Sequence, residues 1–93
     1  MITNSVGLVT ELKVEQDGAL DQATTTLLDS KTNTPEIFFL WIGDVGAPTP
    51  FSVWIARSLV VSLLKAALVN KLKVSITHDD SSALAQSVDL LAS

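Results

Sequence analysis

A 19-residue segment, FSVWIARSLVVSLLKAALV at positions 51–69, constrains the fold of this chain more than any other feature, since only five of its residues are polar. Its flanks are those of a helix. Thr49 suits the N-cap, Pro50 the first helical position and Asn70 the C-terminal end. The sequence therefore predicts a helix from about residue 50 to residue 69 that is apolar on nearly every side. A chain of 93 residues has only one small core against which to bury it.

One side of this helix is expected to cover a sheet. With 3.6 residues per turn, apolar residues three and four apart form a continuous stripe. The predicted core-facing stripe consists of Ile55, Leu59, Leu63 and Ala66, flanked by Ala56, Val60 and Ala67.

A second apolar seam is predicted on the opposite side, where Trp54, Val61 and Leu68 recur every seven residues. This spacing is typical of a helix that packs against another helix through a narrow contact. The sequence predicts no second helix, so the expected partner is the same helix of another copy. Arg57 and Lys65 flank the seam and complete the predicted oligomer interface. The alternative is that the seam is ordinary exposed apolar surface.

The rest of the chain predicts five strands, three before the helix and two after it. Alternating apolar and polar residues indicate strands, while Asp-Gly, Asn-Thr-Pro and Asp-Asp-Ser-Ser segments indicate turns. The order β-β-β-α-β-β is that of an α+β protein with an antiparallel sheet in a single domain, residues 1–93. The predicted strands are residues 5–15, 19–29, 36–43, 71–79 and 83–91.

Two strands carry specific expectations about their faces. The first has alternating apolar residues, so one face is expected to be wet. The third contains an apolar run, residues 37–42, without alternation, and such strands are usually covered on both faces. Alternate residues of this run form two sets. We expect one set to face the helix and the other to face a neighbouring copy or the opposite wall of a barrel, or the reverse. The apolar residues are Val6, Leu8, Leu12 and Val14 on the first strand, then Phe38, Leu40 and Ile42 in one set and Ile37, Phe39 and Trp41 in the other.

The helix end LLKAALVN, the next strand KLKVSITHDD and the closing strand AQSVDLL, in a chain with one long helix after strand three, resemble bacterial enterotoxin B subunits. These belong to the oligomer-binding (OB) fold, a small antiparallel β-barrel. The resemblance implies a non-catalytic homo-oligomer whose helices line the centre of a five-membered ring, with a glycan as a candidate ligand. Those subunits usually carry a signal peptide and a disulfide, whereas this sequence has no cysteine.

Composition excludes several classes of function. A net charge of −4 repels nucleic acid, so no nucleic-acid partner is expected. Arg57 and Lys65 inside the apolar segment argue against a membrane span. The N-terminal residues lack a basic region followed by an apolar stretch, so we expect no signal peptide and a cytoplasmic or mature secreted form. No cofactor is expected.

Few residues are candidates for chemistry. His78, Asp79 and Asp80 are the only cluster of metal-ligating side chains, and we interpret them as a solvated hairpin turn without a metal site. His78→Ala is accordingly expected to leave folding almost unchanged. Trp41 and Asp44 form the candidate ligand site, an aromatic surface beside a polar group that suits a sugar. The alternatives are a scaffold subunit that binds another polypeptide through the seam, and an unrecognised hydrolase.

Overall fold

A computed structural model describes residues 1–17, 20–41 and 51–91 of the chain, in which five strands and one helix follow the predicted order β-β-β-α-β-β. The α+β class and the antiparallel five-stranded sheet are confirmed. The elements are β1 (Ile2–Asp17), β2 (Leu20–Asp29), β3 (Pro35–Trp41), α1 (Phe51–Asn70), β4 (Lys73–Asp79) and β5 (Ala85–Leu90).

The long first strand organises the sheet, whose order is β3-β2-β1-β4-β5. The second half of β1 pairs with β2 and its first half pairs with β4, so β1 lies in the centre and the helix connects two halves of the sheet. A β-bulge interrupts the pairing between Val9 and Glu11, and such a bulge bends and twists the strand. Gly7 and Leu8 pair with both neighbouring strands, so this stretch of β1 joins the two halves.

The sheet is not closed into a barrel, so this part of the OB-like prediction is wrong. Between the edge strands, one isolated parallel bridge joins Phe39 to Leu84, and the Phe39 N–H donates to the Ala83 carbonyl oxygen at 2.8 Å. Barrel closure requires continuous pairing between the two edges. Here the helix side chains Arg57 and Val60 line the gap between the ends of β3 and β5 instead.

The faces of β1 also differ from the prediction. Ser5 and Val9 are buried, so the intervening Val6 and Leu8 lie on the opposite face and are only half-buried. After the bulge the alternation changes phase, which brings Leu12 against the core as predicted. A shift of one residue exchanges the two faces of a strand, and the sequence pattern does not reveal the bulge.

The core lies between the inner face of the sheet and one side of α1, and its largest fully buried apolar side chains include Phe38, Leu27, Leu64 and Ile76. The helix ends close to the predicted position. Asn70 is its last residue, Lys71 has a positive φ of 54°, and the Leu72 N–H donates to the Ala67 carbonyl at 3.0 Å. This hydrogen bond closes the helix in the manner of a Schellman motif. The buried apolar residues are Val9, Ala23, Leu27, Phe38, Leu40, Leu64, Ala67, Val74 and Ile76.

Candidate functional site

The buried side of α1 is rotated from the predicted stripe by one residue, or about 100°. Leu64 and Ala67 are fully buried, whereas Ile55 is 40 % and Leu59 is 63 % exposed. Of the predicted stripe, Leu63 packs against the core. The expectation that Ile55 and Leu59 cover the sheet is therefore wrong. Because the helix is apolar on nearly every side, its periodicity does not select one face.

The predicted seam is correspondingly displaced. Val61 and Leu68 are partly buried and pack against the core, so their expected place on an outward-facing seam is wrong. Arg57 is half-buried and Lys65 is exposed. The Trp54 side chain lies outside what the structure describes. Whether any of these residues contacts another copy stays a prediction.

A different line of the helix faces outward, and we call it the outer strip. Its members follow at spacings of four, three and seven residues, which places them on one side of a helix. Two of them are large apolar residues more than half exposed, a costly arrangement in water unless something covers them. The outer strip consists of Ile55, Leu59, Ser62 and Val69.

Within the described residues, one face of strand β3 is buried and the other is partly exposed. Phe38 and Leu40 are buried, but Ile37, Phe39 and Trp41 are 57 %, 45 % and 39 % exposed. We call these three exposed residues the outer row. The sequence predicts that a neighbouring copy or another part of the barrel covers the second face. The described part of the chain covers the outer row only in part, and β3 is also an edge strand.

A cleft of about 340 Å³ lies where the sheet is open, between the ends of β3 and β5. It combines an aromatic surface with a guanidinium, an amide and a hydroxyl group, which together can stack on and hydrogen-bond to a small polar ring. Of the predicted ligand pair, Trp41 lines the cleft and Asp44 lies outside the described residues. The principal lining residues are Trp41, Arg57, Val60, Leu84, Gln86 and Ser87.

Four polar side chains meet at one end of the inner face of the sheet, one from each of strands β1 to β4. Ser5, Asp29 and His78 are only 7 %, 8 % and 7 % exposed, and Glu36 is half-buried. We call Ser5, Asp29, Glu36 and His78 the polar cluster. Burying polar groups costs free energy unless they are hydrogen-bonded, so the partners of each group decide whether the cluster stabilises the fold.

The first half of the cluster is a serine–histidine pair. Ser5 Oγ lies 2.9 Å from His78 Nε2, and His78 Nδ1 lies 2.8 Å from the Asp79 carbonyl oxygen and 3.1 Å from that of Ser82. Carbonyl oxygens only accept hydrogen bonds, so we assign the proton of the neutral ring to Nδ1. In that tautomer Nε2 accepts a hydrogen bond from the Ser5 hydroxyl.

The second half is a pair of carboxyl groups. A hydrogen bond with Glu36 lowers the pKa of Asp29, and the Lys31 and Thr32 N–H groups, which donate to its Oδ1 at 2.7 and 3.3 Å, lower it further. The same hydrogen bond raises the pKa of Glu36, as do burial and the charge of Asp29. Ser5 Oγ lies 3.4 Å from Glu36 Oε2, which joins the two halves.

The interpretation of His78 as a solvated turn residue is wrong. Its ring is buried and lies 4.8 Å from that of Phe38, centroid to centroid. The alternation of apolar and polar residues along β4 could have predicted that His78 is buried, because His78 lies on the same face of the strand as Val74 and Ile76. The rest of the cluster has no local signal, since Ser5 and His78 are 73 positions apart.

Among the described residues, no three His, Asp or Glu side chains are arranged so that they could hold a metal ion. Asp79 and Asp80 instead contact the N-terminal ammonium group at 3.3 and 3.2 Å, and Asp79 also accepts from the Ser81 N–H and hydroxyl. Such exposed ion pairs contribute little to stability.

Comparison with known proteins does not assign the chain to a family: no family model matches it, and no curated protein is significantly similar to it. In the described ranges no helix has both the length and the hydropathy needed to cross a membrane. The observations that bear on function are therefore the outer row, the outer strip, the cleft and the polar cluster.

Proposed function

We propose that the protein is a non-catalytic, self-associating binding module. The observation that carries this proposal is the outer row of β3, because three large apolar side chains stand exposed on an edge strand. An edge strand offers backbone hydrogen-bonding groups to a second strand, and proteins normally protect apolar edges with charge, proline or a cover. The outer row carries no charged side chain, so a second copy is the cover that we propose.

The two edges of the sheet suggest how the copies associate. β3 forms one edge and β5 the other, and within one copy they meet at the Phe39–Leu84 bridge. A contact between copies would join the parts of these unlike edges that lie beyond the bridge. Such head-to-tail contacts close into rings when the rotation between copies allows it. The resemblance to enterotoxin B subunits supports a ring of five. In this arrangement the outer strip of the helix, rather than the predicted seam, is the helical surface that a neighbouring copy can cover.

Self-association is tested by measuring the mass in solution by light scattering. We expect a multiple of the 9.9 kDa chain mass, and a lower mass for Phe39→Lys, which places a charge within the outer row. Thr3→Lys is the matched control, because Thr3 is exposed on β1 and lies outside both proposed surfaces. It should keep the wild-type mass.

Two results would contradict self-association. One is a monomeric wild type, which would favour the alternative that another polypeptide covers the outer row. The other is an unchanged mass for Phe39→Lys, which would remove β3 from the contact. Two further variants show which side of the helix takes part in the contact. A lower mass in solution for Leu59→Glu would assign the contact to the outer strip, and a lower mass for Lys65→Glu would assign it to the predicted interface.

The cleft is the proposed ligand site, and a glycan is the ligand class that its lining suits best. Sugars bind proteins through stacking of their apolar face on an aromatic ring and hydrogen bonds from polar side chains. Trp41 supplies the ring, while Gln86 and Ser87 supply exposed polar groups. Arg57 adds a positive charge to the lining of the cleft.

A glycan array tests this assignment. We expect binding by wild type that Trp41→Ala abolishes, because the aromatic surface is removed. Ile37→Ala is the control, since Ile37 belongs to the same outer row but does not line the cleft. Equal loss of binding in both variants would show that assembly, not the cleft, is required. Retained binding by Trp41→Ala would exclude the cleft.

The hydrolase alternative rests on the Ser5–His78 hydrogen bond, which has the atoms of a nucleophile and its base. A substrate carbonyl must reach Ser5 Oγ for such chemistry, and both side chains are only 7 % exposed. Glu36 also lies beside the hydroxyl, at 3.4 Å. In our proposal the pair therefore belongs to the fold rather than to a reaction.

A further inference from the structure

The turn between β4 and β5, residues 80–84, brings the two edges of the sheet together. The Phe39 N–H on β3 donates to the Ala83 carbonyl oxygen at 2.8 Å, and Phe39 and Leu84 form the isolated parallel bridge. The cleft lies directly beside this bridge, with Trp41 of β3 on one side and residues 84–87 on the other. The position of the turn therefore sets the separation of the two walls of the cleft.

The imidazole of His78 holds this turn from inside the molecule. Its Nδ1, to which we assign the ring proton, lies 2.8 Å from the Asp79 carbonyl oxygen and 3.1 Å from that of Ser82. Ser82 immediately precedes Ala83, whose carbonyl oxygen accepts the hydrogen bond from Phe39. One ring N–H therefore fixes the chain one residue before the hydrogen bond that joins the two edges.

Two neighbouring strands fix the ring itself. Ser5 Oγ on β1 is 2.9 Å from His78 Nε2, and the Phe38 ring on β3 lies 4.8 Å from the imidazole, centroid to centroid. Because His78 is buried, water competes little for its hydrogen bonds, and buried hydrogen bonds are costly to lose. Phe38 is adjacent to Phe39, so the ring contacts β3 next to the place where the turn bonds to that strand.

We propose that His78 is a positioning residue, which pins the turn against β3 and thereby sets the shape of the cleft. Further hydrogen bonds shape the turn without reaching β3. They run from the Ser81 N–H and hydroxyl to Asp79 Oδ1, from the Leu84 N–H to Ser82 Oγ, and from the Asp80 N–H to the Met1 carbonyl oxygen. The pinned turn does not depend on a ligand, whereas its consequence for binding rests on the proposed function of the cleft.

The two ring nitrogens have different roles, and two substitutions separate them. Asparagine carries its amide nitrogen close to the place of Nδ1, so His78→Asn can still donate to the Ser82 carbonyl oxygen but does not reach Ser5. Glutamine reaches the place of Nε2, so His78→Gln can still accept from the Ser5 hydroxyl but does not donate to the turn. The first variant keeps the pin, and the second keeps only the link to β1.

The test is hydrogen exchange of the Phe39 amide, measured by NMR on the full chain. We expect His78→Ala and His78→Gln to accelerate this exchange about tenfold relative to the amides of β2, because the hydrogen bond to Ala83 opens locally. His78→Asn should restore most of the protection. Leu64→Ala is the comparison, since it removes packing from the apolar core and not a hydrogen bond of the turn. It should accelerate exchange across the sheet without selecting Phe39.

Glycan binding tests the consequence for the cleft. His78→Ala and His78→Gln should weaken the affinity of wild type about tenfold, the loss expected for about one displaced hydrogen bond, while His78→Asn stays close to wild type. Equal affinity in wild type and all three variants would overturn the role of His78 in the cleft. A wild type that binds no glycan would contradict the proposed ligand site, and the exchange of the Phe39 amide would still decide whether His78 pins the turn.

A measurement on the wild type covers the case in which the variants do not fold. The nitrogen-15 chemical shifts of the neutral His78 ring should identify Nδ1 as the protonated nitrogen. A proton on Nε2 would overturn the proposal, because Nδ1 could then not donate to the Ser82 carbonyl oxygen. Equal exchange of the Phe39 amide in His78→Asn and His78→Gln would also overturn it.

Discussion

The inner face of the sheet has two buried parts that are stabilised differently. Under the helix, Leu27, Leu64 and Ile76 are fully buried among other apolar side chains. The second buried part is the polar cluster. Three of its four side chains are almost as well buried, but their burial is favourable only because they are hydrogen-bonded. Apolar burial contributes free energy in proportion to the area removed from water. Buried polar groups contribute only when each has a partner, and they cost free energy when a partner is lost.

This difference shows that similar burial does not imply similar behaviour. The apolar part contains no titratable group, so its contribution should be nearly independent of pH. The polar cluster contains titratable groups, and hydrogen bonding lowers the pKa of Asp29 and raises that of Glu36. Substitutions that target one part at a time should therefore differ both in their size and in their pH dependence.

The largest effect is expected from Leu64→Ala, which removes a fully buried side chain between the helix and the sheet. The lost burial and the cavity should reduce the free energy of unfolding by about 2–5 kcal/mol. Thermal and urea denaturation followed by circular dichroism measure this loss, which should be the same in mild acid and at neutral pH.

Leu59→Ala is the matched control for Leu64→Ala, since it is the same substitution on the same helix at a side chain that is 63 % exposed. In the isolated chain its effect should be within about 0.5 kcal/mol. Equal losses in the two variants would mean that the helix packs through the originally predicted stripe.

A smaller effect is expected from His78→Ala, which leaves the Ser5 hydroxyl without its closest partner and opens space beside Phe38. An unpaired buried polar group costs about 1–3 kcal/mol. Urea denaturation measures this loss. An effect no larger than that of Gln86→Ala, an exposed position on β5, would return His78 to the solvated turn that the sequence suggested.

The sequence was most informative about the secondary structure, where the hydrophobic pattern and the residues at the ends of elements agree. The helix was predicted at 50–69 and is observed at Phe51–Asn70, and the strand order is as predicted. Proline before the helix and asparagine at its end mark boundaries that follow from backbone geometry. The apolar run of β3 was correctly interpreted as a strand, but among the described residues one of its faces is buried and the other stays partly exposed.

The candidate sites were less predictable because they depend on contacts between distant residues. Trp41, which the sequence predicts to contact a ligand, lines the cleft, but whether it binds a ligand stays a prediction. The sequence gives no indication that the polar cluster exists. Ser5 and Glu36 are 31 positions apart and meet only after β1, β2 and β3 have paired in a particular register.

Local pattern by itself determined the class of the protein, the order of its elements and the position of its helix, because propensities, turns and caps act over a few residues. Only the tertiary structure decided which side of that helix is buried, since apolar residues around its circumference leave several rotations nearly equivalent. The bulge in β1 decided which residues of that strand face the core. Strand register then decided that Ser5, Asp29, Glu36 and His78 share one buried site, and that the edges of the sheet stay open at the cleft.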